Sequence, residues 1–321
     1  MARFDPGHAS LSLNALSDKV IVLSGGSTGI GAATVDLLHS HGVKVVSGDI
    51  VPPKQSVGDY FRTDITKYED VLALFRYAFD KYGGIDHAIA NAGVIEHPGW
   101  FQPDGIKSLQ KPPPDIVVDV NLKGTLYFAH IALQYLAVAK GATDHSLTML
   151  SSQAGFKETP GLFIYQTTKH GILGLMRSLR LYTPATFGVR VNAICPSMTT
   201  TQMVAGIQDA WTAGGNPVNY PEDIAKIISG VVAAGPGTEA IWYDDAEGYT
   251  ETQHRRNVGG INWEDSTTGL NGRALYVLGG EAYDIEEGLD RTEDLWLGKG
   301  ISRKLERAQK GLGKGDDWVP S

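Results

Sequence analysis

The chain has 321 residues, of which 42% are hydrophobic and 20% charged, a composition typical of a soluble globular protein. Its formal net charge of −8 gives no reason to expect a nucleic acid or an anionic membrane as a partner. The single cysteine, Cys195, excludes an intrachain disulfide. No apolar run is long enough to span a membrane, and residues 1–19 lack the apolar segment of a signal peptide, so a cytoplasmic location is expected.

Apolar segments of strand length alternate with segments of helical periodicity along most of the chain. The predicted strands lie at residues 19–24, 43–50, 60–65, 85–93 (with an exit loop), 145–152, 189–194 and 273–278. The predicted helices run from a glycine-rich turn to Gly42, from a capping box of Thr66 and Glu69 to about Tyr82, and over about 114–139, 165–182 and 222–234. Near-continuous apolar strands favour an α/β fold: a single domain with a doubly wound parallel sheet of about seven strands and helices on both faces.

Two long loops, at residues 94–113 and 235–272, interrupt this alternation. Loops of this length in a compact domain are usually functional or mobile. The expected organisation is an N-terminal arm at 1–16, a main domain at 17–281 with a lid and insertion at about 199–272, and a C-terminal extension at 282–321.

Four glycines occur within seven residues of the sequence SGGSTGIG, at residues 24–31, where the first strand meets the first helix. Glycine there permits a tight turn and lets the backbone approach a pyrophosphate, while the helix N-terminus supplies free N–H groups. This strand–turn–helix context predicts a Rossmann-type dinucleotide site. The turn residues expected to contact the cofactor are Gly25, Ser27, Thr28, Gly29 and Ile30.

An acidic residue, Asp49, ends the second predicted strand, 18 residues after Gly31. A carboxylate at this place accepts hydrogen bonds from the adenosine ribose hydroxyls and repels the additional phosphate of NADP. The alternative is a solvated loop aspartate, which the spacing disfavours. NAD is therefore the predicted cofactor.

Further motifs follow the glycine-rich turn in order. They are Asp64-Ile65, Asn91-Ala92-Gly93, Asn121, Ser151-Ser152, the YxxxK pair Tyr165 and Lys169, and the loop from Pro196 to Thr201. With the glycine pattern TGxxxGxG, in which Ser24 replaces the threonine, this ordered set resembles the short-chain dehydrogenase/reductase family over roughly residues 17–281. The C-terminal part is similar to fungal members that oxidise or reduce alcohols and ketones of secondary metabolism.

The resemblance implies an oxidoreductase that assembles as a homodimer or homotetramer. It implies further cofactor contacts at Asp64, Ile65, Asn91, Ala92, Gly93, Tyr165, Lys169, Pro196, Thr199 and Thr201. Three features depart from the family pattern: Ala90 replaces the first Asn of NNAG, Ser197 replaces the Gly of PGxxxT, and the 235–272 stretch is longer than usual.

Tyr165 and Lys169 stand at positions i and i+4, so both face one side of a helix. A free tyrosine has a pKa near 10, and a nearby ammonium and the oxidised nicotinamide would lower it. Tyr165 is therefore the expected general base for alcohol oxidation and the general acid for ketone reduction. Lys169, by the resemblance, also holds the nicotinamide ribose.

Two adjacent serines compete for the role of orienting the substrate. Ser152 lies 13 residues before Tyr165, the spacing usual in the family, and is preferred over Ser151. Its hydroxyl would hold the substrate oxygen and stabilise the charge that develops there. Asn121 is expected to place a water that relays protons to Lys169.

The substrate is expected to contact side chains of the loops, since loops carry binding residues on a rigid sheet. The candidates are His97, Trp100, Phe101, Phe156, Leu162, Met203 and Trp211. This aromatic set favours a bulky secondary alcohol or ketone as substrate. No HxxxH or HExxH spacing occurs, so no catalytic metal is expected.

Three functions remain open from the sequence. The first is an NAD-dependent alcohol dehydrogenase, supported by Asp49 and the intact catalytic set. The second is an NADPH-dependent ketone reductase. The third is a non-redox role on the same fold, such as an isomerase, a cyclisation catalyst or a binding protein.

Overall fold

A computed structural model describes residues 2–7, 12–55, 57–96, 100–101, 103, 105–138, 144–206, 208–238, 242–244 and 269–311. The strands are β1 (Ala2–Phe4), β2 (Val20–Ser24), β3 (Lys44–Asp49), β4 (Asp59–Arg62), β5 (His87–Ala90), β6 (His145–Leu150), β7 (Val189–Pro196), β8 (Trp242–Asp244), β9 (Ala274–Leu278) and β10 (Glu281–Asp284). Within these residues they form one sheet in the order β4-β3-β2-β5-β6-β7-β9-β10-β1-β8. The seven strands from β4 to β9 are parallel, which confirms the predicted sheet.

Helices cover both faces of the parallel strands. The α-helices of the described residues are α1 (Gly29–Ser40), α2 (Tyr68–Tyr82), α3 (Thr125–Ala137), α4 (Phe163–Phe187), α5 (Gln208–Ala213), α6 (Pro221–Ala233), α7 (Ile285–Glu293) and α8 (Lys299–Gly311). A π-helical turn at Val118–Gly124 leads into α3, and another at Asp294–Gly298 leads into α8.

The core is divided into two layers by the sheet. Successive side chains of a strand point to opposite faces, so Val20 and Val22 of β2 pack with α2, α3 and α4. Ile21 and Leu23 pack on the other side with α1 and α6. Because both faces are buried, the strands need apolar residues at almost every position, which is why the sequence predicted them well.

Three antiparallel strands extend the sheet beyond β9, and the sequence analysis did not predict them. Gly279 and Gly280 both have positive φ, at 60° and 81°, and form the two-residue turn between β9 and β10. β1 then pairs with β10 and β8. Phe4 of β1 is buried against α6, where a Cβ on Gly230 would lie 3.2 Å from its ring.

The predicted capping box of Thr66 and Glu69 is wrong. Helix α2 begins at Tyr68, and its N-cap, Lys67, forms no capping hydrogen bond through its side chain. The Thr66 hydroxyl donates instead to Asp64 Oδ1 at 2.7 Å, because Asp64 closes a local turn before the helix.

The helix predicted at 165–182 is longer in the structure and runs from Phe163 to Phe187, with Pro184 inside its last turn. The segment predicted as one helix over 114–139 consists of the π-helical turn and α3. No helix in the described ranges is both long and apolar enough to cross a lipid bilayer.

Candidate active site

A cavity of about 520 Å³ opens at the carboxyl ends of the parallel strands. It lies where the chain order of the strands reverses, because β3 is on one side of β2 and β5 is on the other. Ligands of open α/β sheets bind at such a switch point. The predicted residues that line it are Gly25, Thr28, Gly29, Ile30, Asp49, Asp64, Ile65, Asn91, Ala92, Gly93, Ser152, Tyr165, Lys169, Pro196, Thr199, Thr201 and Met203.

The glycine-rich turn leaves no room for a Cβ atom at Gly25 or Gly31. A Cβ on Gly31 would lie 1.8 Å from the Gly25 carbonyl oxygen, and one on Gly25 would lie 2.8 Å from Ala92 Cα. Gly25 and Gly29 also have φ values of 74° and 54°, which glycine adopts at little cost. The turn therefore presents bare backbone and the first turn of α1 to the cavity, a lining suited to a pyrophosphate.

Asp49 lies at the end of β3 and lines the cavity. Its Oδ2 accepts the Ser27 N–H at 3.0 Å, and its Oδ1 accepts the Val51 N–H at 3.3 Å. Each carboxylate oxygen keeps a second lone pair for a ligand hydroxyl. Ser27 itself is buried and does not line the cavity, since its hydroxyl donates to the Val51 carbonyl at 2.6 Å.

The loop after β5 is tied to the glycine-rich turn by side-chain hydrogen bonds. Asn91 Nδ2 donates to the carbonyls of Ser24 and Gly25 at 3.1 and 2.8 Å. The Ser24 hydroxyl accepts the N–H groups of Asn91 and Ala92 at 3.1 and 3.2 Å. Ser24 thus provides the hydroxyl of the threonine that it replaces in the family pattern, and this contact was not foreseen.

Asn121 lies in the π-helical turn before α3 and is fully buried. Its Oδ1 accepts the Val94 N–H at 2.8 Å, and its Nδ2 donates to the Val94 carbonyl at 2.9 Å. Asn121 is not part of the cavity wall. A π-turn at such a place often marks a functional site, and here it aims the amide at the loop after β5.

Tyr165 and Lys169 face the cavity from the first turns of α4, with Lys169 Nζ 5.5 Å from the centre of the Tyr165 ring. Lys169 Nζ donates to the Leu150 carbonyl at 2.9 Å. Burial lowers the pKa of Lys169 from 10.5 to about 8. The pKa of Tyr165 is raised, because the effect of burial is larger than the opposing effect of a hydrogen bond with Ser152.

The two adjacent serines differ in what their hydroxyls contact. The Ser151 hydroxyl is buried and donates to the Lys169 carbonyl at 2.8 Å. The Ser152 oxygen accepts the Ala154 N–H at 3.2 Å, and the Ser152 side chain also hydrogen-bonds Tyr165. Both serines line the cavity.

Glu96 binds the start of the helix that carries Tyr165, a contact that the sequence analysis missed. Its Oε2 accepts the N–H groups of Ile164 and Tyr165 at 2.7 and 2.9 Å. Leu162, the N-cap of α4, forms no capping hydrogen bond through its side chain. The helix is capped instead by Glu96, which lies 68 positions before Ile164. Sequence spacing carries no signal for a cap from so far away.

Most of the predicted substrate residues lie away from the cavity wall. Trp100 and Trp211 donate their indole N–H to the carbonyls of Pro114 and Pro217 at 2.7 and 2.8 Å. The Phe101 ring contacts the Phe163 ring edge-on, with 5.4 Å between the ring centres, and the Phe156 ring contacts the Tyr276 ring in the same way at 5.3 Å. Leu162 immediately precedes α4. His97 lies outside the described residues.

Apolar lining that was not predicted comes from Ile116 and Val120, on the segment that leads into α3. Together with Met203 they form an apolar part of the cavity wall. Among the residues that the structure describes, no group of three or more His, Cys, Asp or Glu side chains is arranged to hold a metal ion.

A glycine-rich turn after β2, an acidic side chain at the end of β3 and a Tyr–Lys pair on α4 converge on one cavity of a doubly wound sheet. These features define a dinucleotide-binding α/β protein. The family model for short chain dehydrogenase matches residues 19–211. The chain belongs to the short-chain dehydrogenase/reductase family, whose members are oxidoreductases that bind nicotinamide cofactors.

Individual relatives agree with this assignment. The chain is 31% identical to "Short-chain dehydrogenase/reductase prx4" of Penicillium roqueforti over 290 residues, which cover 88% of this chain and 81% of that protein. It is 39% identical to "Short-chain dehydrogenase/reductase ascJ" of Acremonium egyptiacum over 197 residues, 59% and 66% of the two chains. The ligand-free aldohexose dehydrogenase of Thermoplasma acidophilum has a TM-score of 0.61 at 25% identity, covering 84% of this chain and 96% of that chain.

Proposed function

We propose that the protein transfers a hydride between NAD(H) and a bulky secondary alcohol or ketone. The carboxylate of Asp49 at the cavity wall is the observation that carries this proposal. Its two oxygens are held by backbone N–H groups and keep lone pairs for the ribose hydroxyls of NAD. The 2′-phosphate of NADP would meet a fixed negative charge at this place.

The cofactor would extend across the carboxyl ends of the strands. Gly25, Thr28 and Gly29 would bind the pyrophosphate through the backbone, and Asp64 and Ile65 would border the adenine. Lys169 would bind the nicotinamide ribose. The closely packed glycines support this assignment, because a side chain at Gly31 would overlap the Gly25 carbonyl.

Proton transfer would be carried out by residues of β6 and α4. The bound nicotinamide supplies the chemistry of hydride transfer. Tyr165 would take the proton of the alcohol, or give one to the ketone, through its hydroxyl. Ser152, whose side chain hydrogen-bonds Tyr165, would donate its proton to the substrate oxygen once substrate is bound. Asn121 would act by holding the Val94 backbone beside this group, since its side-chain amide is bound there.

The substrate class is supported by the apolar wall formed by Ile116, Val120 and Met203. Such a wall favours binding of an apolar carbon skeleton rather than a sugar. A substrate from secondary metabolism is part of this proposal, on the resemblance of the C-terminal sequence to such fungal members.

An NADPH-dependent ketone reductase is the second candidate. Arg62, at the end of β4, pairs in register with Asp49. Arg62 is exposed, so its guanidinium could bind a 2′-phosphate next to the adenosine ribose. A direct comparison of the affinities for NADH and NADPH therefore decides between the two candidate functions.

The test is titration of the protein with NADH and NADPH, followed by quenching of tryptophan fluorescence. We expect tighter binding of NADH, and we expect Asp49→Asn to reduce the ratio of the two affinities about tenfold or more. Asp36→Asn, on the exposed side of α1, is the matched control and should leave the ratio unchanged. Preference of the wild type for NADPH would establish the second candidate, and binding of neither would favour a non-redox role.

A further inference from the structure

Ser197, which stands where the family pattern has glycine, is held rigidly at the carboxyl end of β7. Its N–H donates to the Val277 carbonyl of β9 at 2.8 Å, and its carbonyl accepts the Thr199 hydroxyl at 3.0 Å. The residues that follow are fixed by Asn219, whose N–H donates to the Met198 carbonyl at 2.8 Å. Both backbone polar groups of Ser197 therefore have partners within the fold.

The Ser197 hydroxyl, in contrast, has no hydrogen-bond partner among the described residues. The residue is 8% exposed and lines the cavity. A buried hydroxyl without a partner is unfavourable, and its presence at a binding site points to a ligand group that satisfies it. An alanine or glycine at this position would have no unpaired hydroxyl, so the presence of serine is best explained by a ligand that pairs with it.

The sheet order locates this hydroxyl at one end of the cavity. Asp49 lies on β3, whereas Ser197 follows β7, on the opposite side of the switch point. Ser197 is next to β6, which carries the catalytic Ser152 just beyond its end. The same loop reaches back to the glycine-rich turn, because a Cβ on Gly29 would lie 3.2 Å from Thr201 Cγ2.

We propose that the Ser197 hydroxyl hydrogen-bonds the carboxamide of the cofactor's nicotinamide ring and so strengthens binding of that half of the cofactor. This inference rests on the proposed function. A carboxamide both donates and accepts, as a hydroxyl does. The substrate oxygen is the other possible partner, but Tyr165 and Ser152 already face it in the proposed mechanism.

The experiment compares Ser197→Ala with the wild type in calorimetric titrations with NADH and with ADP-ribose, which lacks the nicotinamide ring. We expect the Kd for NADH to rise about three- to tenfold, because the loss of one hydrogen bond weakens binding by about this factor. The Kd for ADP-ribose should stay within about twofold of the wild-type value. Ser229→Ala is the matched control, because the Ser229 hydroxyl is also buried without a partner but lies in α6, away from the cavity. It should change neither affinity.

Three results would overturn the inference. An unchanged Kd for NADH in Ser197→Ala would mean that the hydroxyl is satisfied by water. An equal loss for both ligands would indicate a change in the loop rather than a contact with the ring. A rise confined to the substrate KM would assign the hydroxyl to the substrate. If the wild type binds neither NADH nor ADP-ribose, the proposed function itself fails, and the inference fails with it.

Discussion

Tyr165 and Lys169 are each buried in a way that disfavours their charged forms. Burial raises the pKa of Tyr165 and lowers that of Lys169 to about 8. The expectation that a nearby ammonium and the oxidised nicotinamide together lower the pKa of Tyr165 stays a prediction. In the proposed mechanism the positive charge of an oxidised nicotinamide would favour the phenolate and would thereby couple proton transfer to cofactor binding.

Replacement of Tyr165 by phenylalanine tests the proton-transfer role. Tyr165→Phe should lower kcat by about 10²- to 10⁴-fold, since it removes the transferable proton and leaves the ring. The Kd for NADH should stay within about twofold. Tyr182→Phe, on the same helix and packed against Phe187, is the control and should keep normal turnover. Full activity of Tyr165→Phe would eliminate the proposed mechanism.

Glu96 is predicted to position Tyr165 without touching the substrate. Glu96→Ala removes the acceptor of two N–H groups at the start of α4, so we expect a loss of about 1 kcal/mol in the free energy of unfolding and a fall in kcat of about tenfold. Glu96→Gln keeps a carbonyl oxygen and should restore most of kcat. Glu158→Gln, at an exposed glutamate paired with Lys157, should have no effect. If Glu96→Gln lowers kcat as much as Glu96→Ala does, the loss of the helix cap is not the cause of the lower kcat.

At the scale of elements, the turn between β2 and α1 is determined by close packing of backbone on backbone. We predict that Gly31→Ala weakens NADH binding more than about tenfold and lowers the free energy of unfolding by about 1–3 kcal/mol, because its Cβ would lie 1.8 Å from the Gly25 carbonyl oxygen. Fluorescence titration and urea unfolding measure the two effects.

Gly174→Ala provides the comparison for that substitution. Gly174 lies in α4, and no described heavy atom comes within 4 Å of a Cβ built there. Alanine is the better helix former, so Gly174→Ala should raise the free energy of unfolding by about 0.5–1 kcal/mol with unchanged binding. Equal effects of the two substitutions would show that steric contact at the turn is unimportant.

At the scale of the whole molecule, a buried polar cluster joins the amino ends of the central strands to α6. Arg190 pairs with Asp144 through two contacts of 2.7 Å and donates to the carbonyls of Val232 and Leu270. Beside this pair, His87 hydrogen-bonds the Ser146 hydroxyl at 2.9 Å. Burial lowers the pKa of His87 from 6.5 to about 4.

The buried histidine makes stability depend on pH. Between pH 6.5 and about 4 the unfolded chain binds a proton at His87 that the folded protein does not bind. The contribution of His87 to the free energy of unfolding is therefore fully present above pH 6.5 and is lost as the pH falls toward about 4. We expect His87 to contribute a slope of about 1.4 kcal/mol per pH unit to the free energy of unfolding in this range. Urea unfolding at several pH values should give a shallower slope for His87→Gln.

His145→Gln is the control for this measurement, since His145 is the neighbouring histidine and contacts the Asp86 carbonyl. Comparing the two variants separates the loss of His87 from the loss of a histidine in general. Identical slopes for wild type and His87→Gln would show that the pKa of His87 is not lowered in the folded protein.

The parallel sheet, the glycine-rich turn and the order of motifs around the cavity could be predicted from the amino-acid sequence alone. The reason is that these features depend on local rules: strands buried on both faces are apolar throughout, and a turn without space for Cβ atoms needs glycine. Residues such as Asp49 and Tyr165 reach the cavity because they stand at strand ends or helical spacings that the sequence displays.

The contacts between residues far apart in the chain could not be predicted and are known from the folded structure. The Glu96 cap of α4, the unpartnered Ser197 hydroxyl and the antiparallel strands beyond β9 depend on contacts between segments with no shared periodicity. The predicted substrate residues Trp100 and Trp211 do not line the cavity, and their indole N–H groups donate to the carbonyls of Pro114 and Pro217, a pairing that the sequence does not display. A side chain's type indicates what it can bind, but its surroundings in the fold determine which partner it has.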